Sequence, residues 1–269
     1  MHTLREHLAS YGFRDFDSPD FYRHWGGRQL GEHKARMLDR LRKPLEKDDV
    51  QPGDVLRFYE FIADPDVASV VHSMKTDAIR ASGAAVWERI KEKKNILDFG
   101  CNIGYLTTWY ARQSGNFVTG VDISQSSIKQ AQQKAAALGV ANVRFLHGDI
   151  RKLLHGERFD AVVDTQTVYT VRKMKQVLTQ LCALLTDDGI LVTIPPIRTA
   201  EKITAYLELL SQAGLYPRTL EFIYFFSLGE PDAYPLITVD KIAAPATTFD
   251  VPSACAAMQR NLVRLSGAI

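Results

Sequence analysis

The sequence predicts a doubly wound α/β domain: a mostly parallel seven-stranded sheet with an antiparallel last strand, preceded by an N-terminal helical cap. Three observations predict it. From Asn95 onward short apolar runs alternate with helix-length segments, the rhythm of parallel strands covered by helices on both faces. Four successive strand candidates carry an acid at or near their ends: Asp98, Asp122, Asp149 and Asp164. The last two candidates, residues 220–226 and 236–239, are joined by too few residues for a parallel crossover, which makes them an antiparallel pair.

The elements follow in order. Residues 1–90 are read as a helical cap, because no strand pattern stands out there. Gly26, Gly27, Gly31, Pro44, Pro52 and Gly53 divide it into short pieces. In HKARMLDRLRKPL, Met37, Leu38 and Leu41 fall on one side of a helix. Asp64-Pro65-Asp66 reads as a helix start, with proline early and acids at the positive end of the dipole. Val67, Val70, Val71 and Met74 then recur at helical spacing, and the helix is expected to run on toward Trp87 and Ile90. Residues 91–245 form the α/β domain, with strands expected at 96–98, 117–121, 143–146, 159–163 and 190–194. Helices are expected around Leu106–Tyr110 and over 126–138, 174–185 and 203–210. Residues 246–269 are left as a C-terminal tail.

Composition narrows the function classes. The chain has 269 residues, 46% of them hydrophobic, enough for one large core with a smaller cap. A formal net charge of +2 gives no reason to expect a nucleic-acid or anionic-membrane field. Cys101, Cys182 and Cys255 fit neither a zinc ribbon nor a disulfide framework, so a reducing cytoplasm is expected. The N-terminal MHTLREHLASYGFRDFD is too charged for a signal peptide. No run approaches the ~20 apolar residues of a membrane span, so no membrane partner is expected.

The strongest local signal is ILDFGCNIGYLTTWYA. A strand ends at Asp98 and Phe99, Gly100 and Gly104 allow a tight turn with close ligand approach, and a helix begins. In open α/β sheets ligands lie beyond the carboxyl ends of the strands. A dinucleotide site needs G-x-G-x-x-G, but Asn102 stands where the second glycine would be, and Ile103 and Tyr105 crowd the helix start. Asp98 would repel a phosphate yet could accept from an ammonium or amide. Asp122 is placed for ribose hydroxyls, with a helix cap as the alternative role. Asp149 could equally close its strand as a turn residue. Cys101 reads as a small space-filler beside the ligand, since no base adjoins it in sequence. Neither a GxxxxGK[ST] run nor a G-x-S-x-G elbow occurs.

In this ordered combination NILDFGCNIGYLTTWYA resembles the first motif of class I S-adenosylmethionine-dependent methyltransferases, a Rossmann-like family. The resemblance spans roughly residues 95–242 and implies S-adenosyl-L-methionine as cofactor. Asp98, Gly100, Cys101, Asn102, Gly104 and Tyr105 then surround its methionine part. GVDIS places Asp122 at the ribose and Ile123 at the adenine; RFLHGDI places Asp149 near the adenine amino group and Ile150 beside the ring. FDAVVDTQTVY resembles the segment lining the methyl-transfer site, and DDGILVTIPP the fifth strand. The chain departs from amino-methylating DNA enzymes, whose acid, asparagine or serine before Pro-Pro is replaced by Asp164-Thr165-Gln166-Thr167. The paired acids of protein arginine methyltransferases are not evident. VTIPPIR lacks the Asp-Asn pair of metal-dependent catechol-type enzymes, so no metal is expected.

Direct displacement at a sulfonium needs alignment and a dry site, and a base only if the acceptor loses a proton. Asp164 and Tyr169 are catalytic candidates; alternatively Asp164 caps a helix or holds the cofactor's ammonium, and Tyr169 forms a wall. His24, in the aromatic FYRHWGG, is a third candidate base. Tyr22 and Trp25 could box a planar or cationic acceptor or serve the core. Phe222, Tyr224 and Phe226 share one face, lining the acceptor pocket or filling core beneath the last helix. The cap and the near-neutral charge favour a small-molecule acceptor over nucleic acid. The basic stretches ERIKEKK and HKARMLDRLRK keep RNA or protein as alternatives, and a noncatalytic methyltransferase-like module is a third. Homo-oligomerisation is left open.

Overall fold

The computed structural model describes residues 3–46, 50–113, 115–241 and 248–267. Five helices form the cap: α1 (Leu4–Ser10), α2 (Pro19–Arg42), α3 (Pro52–Ile62), α4 (Pro65–Ser73) and α5 (Thr76–Ile90). The α/β domain then runs β1 (Asn95–Phe99), α6 (Tyr105–Gln113), β2 (Phe117–Asp122), α7 (Gln125–Ala137), β3 (Val143–His147) and β4 (Phe159–Thr165). It continues with α8 (Met174–Leu184), β5 (Leu185–Ile194), α9 (Ala200–Gln212), β6 (Tyr216–Ser227), β7 (Glu230–Asp240) and α10 (Val251–Ser266).

The seven strands form one sheet in the order β3-β2-β1-β4-β5-β7-β6. β1 to β5 are parallel, and β7 runs antiparallel between β5 and β6. The order reverses at β1 and β4, so the carboxyl ends of those two strands flank the crevice where ligands enter such sheets.

Strand alternation divides the core. Leu97, Val162 and Leu191 face one side and pack with Leu178, Leu181 and Leu210 of α8 and α9. Ile96, Ala161, Val163 and Val192 face the other and pack with Leu8, Val86, Ile90 and Tyr110. The cap's first and last helices thus share the core of the α/β domain. Phe222 packs in the first cluster with Val251 and Cys255, and the Tyr224 hydroxyl accepts from Asn261 Nδ2. Phe222 and Tyr224 thus lie beneath the last helix, whereas Phe226 of the same face is exposed.

The structure corrects four local expectations. Asp64 does cap α4 through the amides of Asp66 and Val67, but the helix does not run on to Ile90. It stops at Ser73, and α5 starts afresh after Lys75, because Thr76 bonds back to the carbonyls of Ser73 and Arg14 and turns the chain there. Gly26 and Gly27 lie within α2 and do not break it, whereas Gly31, at φ 65°, kinks it. β6 and β7 are longer than expected because they pair along almost their whole length. The C-terminal tail holds α10, with Val251, Cys255 and Met258 buried. The expected boundary at 245/246 lies outside the described residues.

Leu181 on α8 is fully buried. Leu181→Ala should cost about 2–5 kcal/mol of stability through lost transfer energy and a residual cavity, read as a lowered denaturant midpoint with an unchanged slope.

Candidate active site

The turn between β1 and α6 is built by internal bonds that use every amide from Gly100 to Gly104. The Gly100 and Cys101 amides both donate to the Val121 carbonyl, at 2.8 and 3.1 Å, and the Gly104 amide to the Cys101 carbonyl at 2.9 Å. Asn102 N donates to Asp122 Oδ2 at 2.9 Å, and Ile103 N to Asn102 Oδ1 at 2.7 Å. Asn102 sits at φ 51°, a left-handed conformation that asparagine tolerates better than most residues. A pyrophosphate needs free amides at such a turn, and this one offers none. The dinucleotide alternative fails on that ground.

The glycines serve the protein's own packing. A Cβ on Gly100 would lie 2.0 Å from Thr167 Oγ1, so Gly100 admits the loop after β4. Thr167 occupies the side of Gly100 on which a Cβ would stand. Gly104, at φ 75°, is hemmed in by the Phe145 ring and Ala131. Cys101 is buried and packs over Gly120, and burial pushes its thiol well above the ordinary range. It fills the space that Gly120 leaves open.

Asp98, Asp122 and Asp164 are gathered at the strand ends and all three are buried. Asp98 Oδ2 accepts from Thr107 Oγ1 at 2.5 Å. Burial first, then the charges of Asp122 and Asp164, push its carboxyl up to about 7, against the Thr107 bond. Asp122 Oδ1 accepts from Ser124 N at 2.8 Å, and burial raises its pKa despite the amides it accepts from. Among the described residues no lysine or arginine pairs with any of the three. Desolvated carboxylates beside a turn without free amides select a cation and hydrogen-bond donors, not an anion.

Asp164 is 0% exposed. Its Oδ1 accepts from the amides of Thr167 and Val168, both at 2.9 Å, and Oδ2 from Thr193 Oγ1 at 2.7 Å. Burial lifts it to about 6 against those three bonds. The structure therefore gives it the capping role that competed with catalysis. Tyr169 is half-buried and meets the Tyr206 ring edge-on at 6.4 Å, as a wall. His24 lies on the exposed side of α2. Its neighbours are held within the cap: the Tyr22 hydroxyl donates to the Val70 carbonyl, and the Trp25 ring packs on Phe16 with Arg14 over its face. Asp149 is drawn into a bidentate pair with Arg151, at 2.8 and 2.9 Å to Nε. Ile123 is 52% exposed beside Asp122, while Ile150 is buried beneath.

The cap closes on this edge through residues that no motif marks. Glu60 of α3 accepts from the amides of Gln125 and Ser126, at 2.7 and 3.3 Å, at the start of α7. Tyr59 beside it has its phenol pushed up to about 12 by burial and by the nearby Asp122. Tyr11 Oη donates to the Gly104 carbonyl at 3.3 Å and meets Thr108 Oγ1 at 2.7 Å. His7 Nε2 donates to the Tyr105 carbonyl at 2.8 Å. Tyr105 itself packs against Phe13 and His72, with ring centres 5.3 and 5.1 Å away.

A methyltransferase-domain family model matches residues 90–215, the segment that builds this turn and these acids. Residues 90–215 thus carry a methyltransferase domain of the class I S-adenosylmethionine-dependent type. The methyltransferase domain is similar to carboxy-S-adenosyl-L-methionine synthase of Campylobacter hominis, 29% identical over 157 residues, covering 54% of this chain and 65% of that protein. It is similar to malonyl-[acyl-carrier protein] O-methyltransferase of Bacillus cereus, 33% identical over 108 residues, covering 39% of each chain. This chain thus spans less than two thirds of the length of these curated relatives. Among solved structures it shares the fold of the Burkholderia thailandensis 1,6-didemethyltoxoflavin-N1-methyltransferase, with a TM-score of 0.52 at 20% identity, covering 62% of this chain and 79% of that one.

Two opposite effects on stability follow. Asp98, raised to about 7, contributes stability while protonated and loses it as pH rises through that value. Asp98→Asn should therefore raise the thermal midpoint of the ligand-free protein at pH 8, by about 1–2 kcal/mol of stability, and change it little at pH 5. Asp164→Asn should do the reverse. It sets an NH₂ or a weaker acceptor against three donors and should cost about 1–3 kcal/mol, measured by denaturant unfolding at pH 8.

Proposed function

We propose that the chain binds S-adenosyl-L-methionine at the carboxyl edge of β1, β2 and β3 and methylates a small-molecule acceptor held beneath the cap. The observation that carries this reading is the pair of desolvated carboxylates, Asp98 and Asp122, beside an amide-saturated turn and roofed by α1 and α3. That donor set suits a cationic ligand with an ammonium and vicinal hydroxyls and no phosphate.

Bound S-adenosyl-L-methionine would supply a methyl carbon on a sulfonium, which the acceptor's nucleophile bonds as the S–C bond breaks and sulfur keeps the electron pair. The protein's share is binding, orientation and exclusion of water. Asp98, with one oxygen committed to Thr107, offers the other to the ammonium. Asp122 bonds both flanking loops and keeps lone pairs for the ribose hydroxyls, since a carboxylate has about four acceptor sites. Ile123 and Ile150 give the adenine an apolar seat. Asp149 reaches the adenine amino group by sharing its oxygens with Arg151.

Asp164 acts as a positioning residue: it fixes the Thr167–Val168 turn that lies over Gly100. Tyr169 shapes the wall of the acceptor side. His24, exposed on the outer side of α2, takes no part in this reading. Tyr11, Phe13, His72 and Tyr105 close the roof over the turn, which keeps water from the reacting atoms. A roof fastened this closely favours a small acceptor over RNA or a folded protein.

Calorimetry with S-adenosyl-L-methionine and S-adenosylhomocysteine tests the reading. Both should bind the wild-type chain. Asp122→Ala should weaken them by about tenfold or more, since a charge-assisted hydrogen bond is worth about 1.5–3 kcal/mol. Absence of binding to well-folded protein, or unchanged affinity in the variant, would overturn the assignment.

A further inference from the structure

The helix after β2 begins without an acid of its own. The first turn of α7 holds no carboxylate, although a negative charge near a helix N-terminus is favourable. Two carboxylates from outside the helix supply it and divide three consecutive amides between them. Asp122 takes that of Ser124 at 2.8 Å, and Glu60 of α3 takes those of Gln125 and Ser126 at 2.7 and 3.3 Å. Burial pushes the Glu60 carboxyl up, but the Ser126 hydroxyl and the two amides outweigh it and hold the group below its ordinary range. Glu60 therefore fastens the cap to the residues that adjoin the ribose acid.

α3 is held to the α/β domain differently from α1. Leu4 and Leu8 sink α1 into the core on one face of the sheet. Ile62 of α3 instead packs with Leu38, Val67 and Val71 of the cap, in a cluster separate from the cores on both faces of the sheet. Among the described residues every polar contact of α3 with the α/β domain runs through Glu60. The joint leading into this part of the cap is unbraced: α2 bends at Gly31, φ 65°, and no packed neighbour lies within 4 Å of where its Cβ would stand. Asp122 is only 8% exposed, and Tyr59, the residue before Glu60, lies close to it. A ribose reaches a carboxylate covered to this extent after an element above it moves. α3 is the element over that edge with a core of its own and a single polar fastening.

We propose that α3 is a lid over the ribose edge and that Glu60 is its latch. The cofactor enters and leaves when Glu60 releases the Gln125 and Ser126 amides, and the remade bonds hold it in place. Glu60 touches no reacting atom; it acts by positioning α3 against α7. This inference rests on the methyltransferase reading above.

Stopped-flow association and displacement of S-adenosylhomocysteine on the full chain test it. A latch made equally in the empty and the occupied protein closes both, so its loss changes both rates by one factor and leaves Kd where it was. Glu60→Ala should speed association and dissociation together by about tenfold or more, the scale of a lost charge-assisted hydrogen bond, with Kd unchanged. Glu60→Gln, which keeps one acceptor oxygen, should raise both rates less. Deuterium exchange at the Gln125 and Ser126 amides of the ligand-free chain should quicken in the same order. Unchanged rates or unchanged exchange in both variants would overturn the latch and leave the methyltransferase reading standing. Faster dissociation with unchanged association would also overturn it, since a weakened Kd marks a residue that only shapes the ribose edge. Failure of the wild-type chain to bind S-adenosylhomocysteine would overturn both readings.

Discussion

Asp122 accepts from the Asn102 amide with one oxygen and from the Ser124 amide with the other. Through those two bonds one side chain joins the turn after β1 to the start of α7. The consequences spread outward. Asn102 is held left-handed, its own side chain covers the Ile103 amide, and the remaining amides of the turn close on Val121 and Cys101. A turn whose donors are consumed in this way cannot cradle a phosphate. It presents carboxylate oxygens to the crevice instead, and so the sign of the ligand's charge is set by backbone hydrogen bonding before any ligand group is considered.

That arrangement sets stability against function. Three buried carboxylates near one another repel, and burial penalises each ionised form. The fold offsets part of this cost with hydroxyls and amides: Thr107 for Asp98, Thr193 with two amides for Asp164, and two amides for Asp122. What is left uncompensated is concentrated on Asp98, which has a single hydroxyl partner. Strain of this kind is a common companion of binding sites, because the group that costs the empty protein most is the one a cation relieves most.

The α/β domain was legible in the sequence because its signals are local. Residues 96–98, 117–121 and 143–146 are apolar runs closed by acids, and each became a strand within a residue or two of the expected ends. The turn was legible through Gly100, Asn102 and Gly104, but the side chains that fill the space beside the glycines, Thr167 and Phe145, are distant in sequence and were not. The role of Asp164 could not be separated from catalysis by position alone, since only the fold shows its three donors. Tyr59, Glu60 and Thr107 carried no signal at all. Each lies in an ordinary amphipathic helix and matters only through where tertiary packing sets it. The break at Lys75 was missed for the same reason, since the helical spacing of Val67 to Met74 gives no sign of the bonds by which Thr76 turns the chain.

The cap and the cofactor turn are mechanically one unit. His7 and Tyr11 of the first cap segment donate to the carbonyls of Tyr105 and Gly104, and Thr108, which Tyr11 also meets, bonds back to Gly104 through both its amide and its hydroxyl. The first turn of α6 is thus pinned by the roof above as well as by the turn before it. On the other side Glu60 holds the first amides of α7, so α1 and α3 grip the two helices that follow β1 and β2. Any movement of the cap large enough to admit a bulky acceptor would have to break bonds at the same residues that shape the cofactor edge. Tyr105 stands at the centre of this coupling: its carbonyl is held by the cap, its ring touches Phe13 and His72, and it directly follows Gly104. Access to the crevice beneath the cap is therefore linked physically to the state of the turn, because Tyr105 belongs to both.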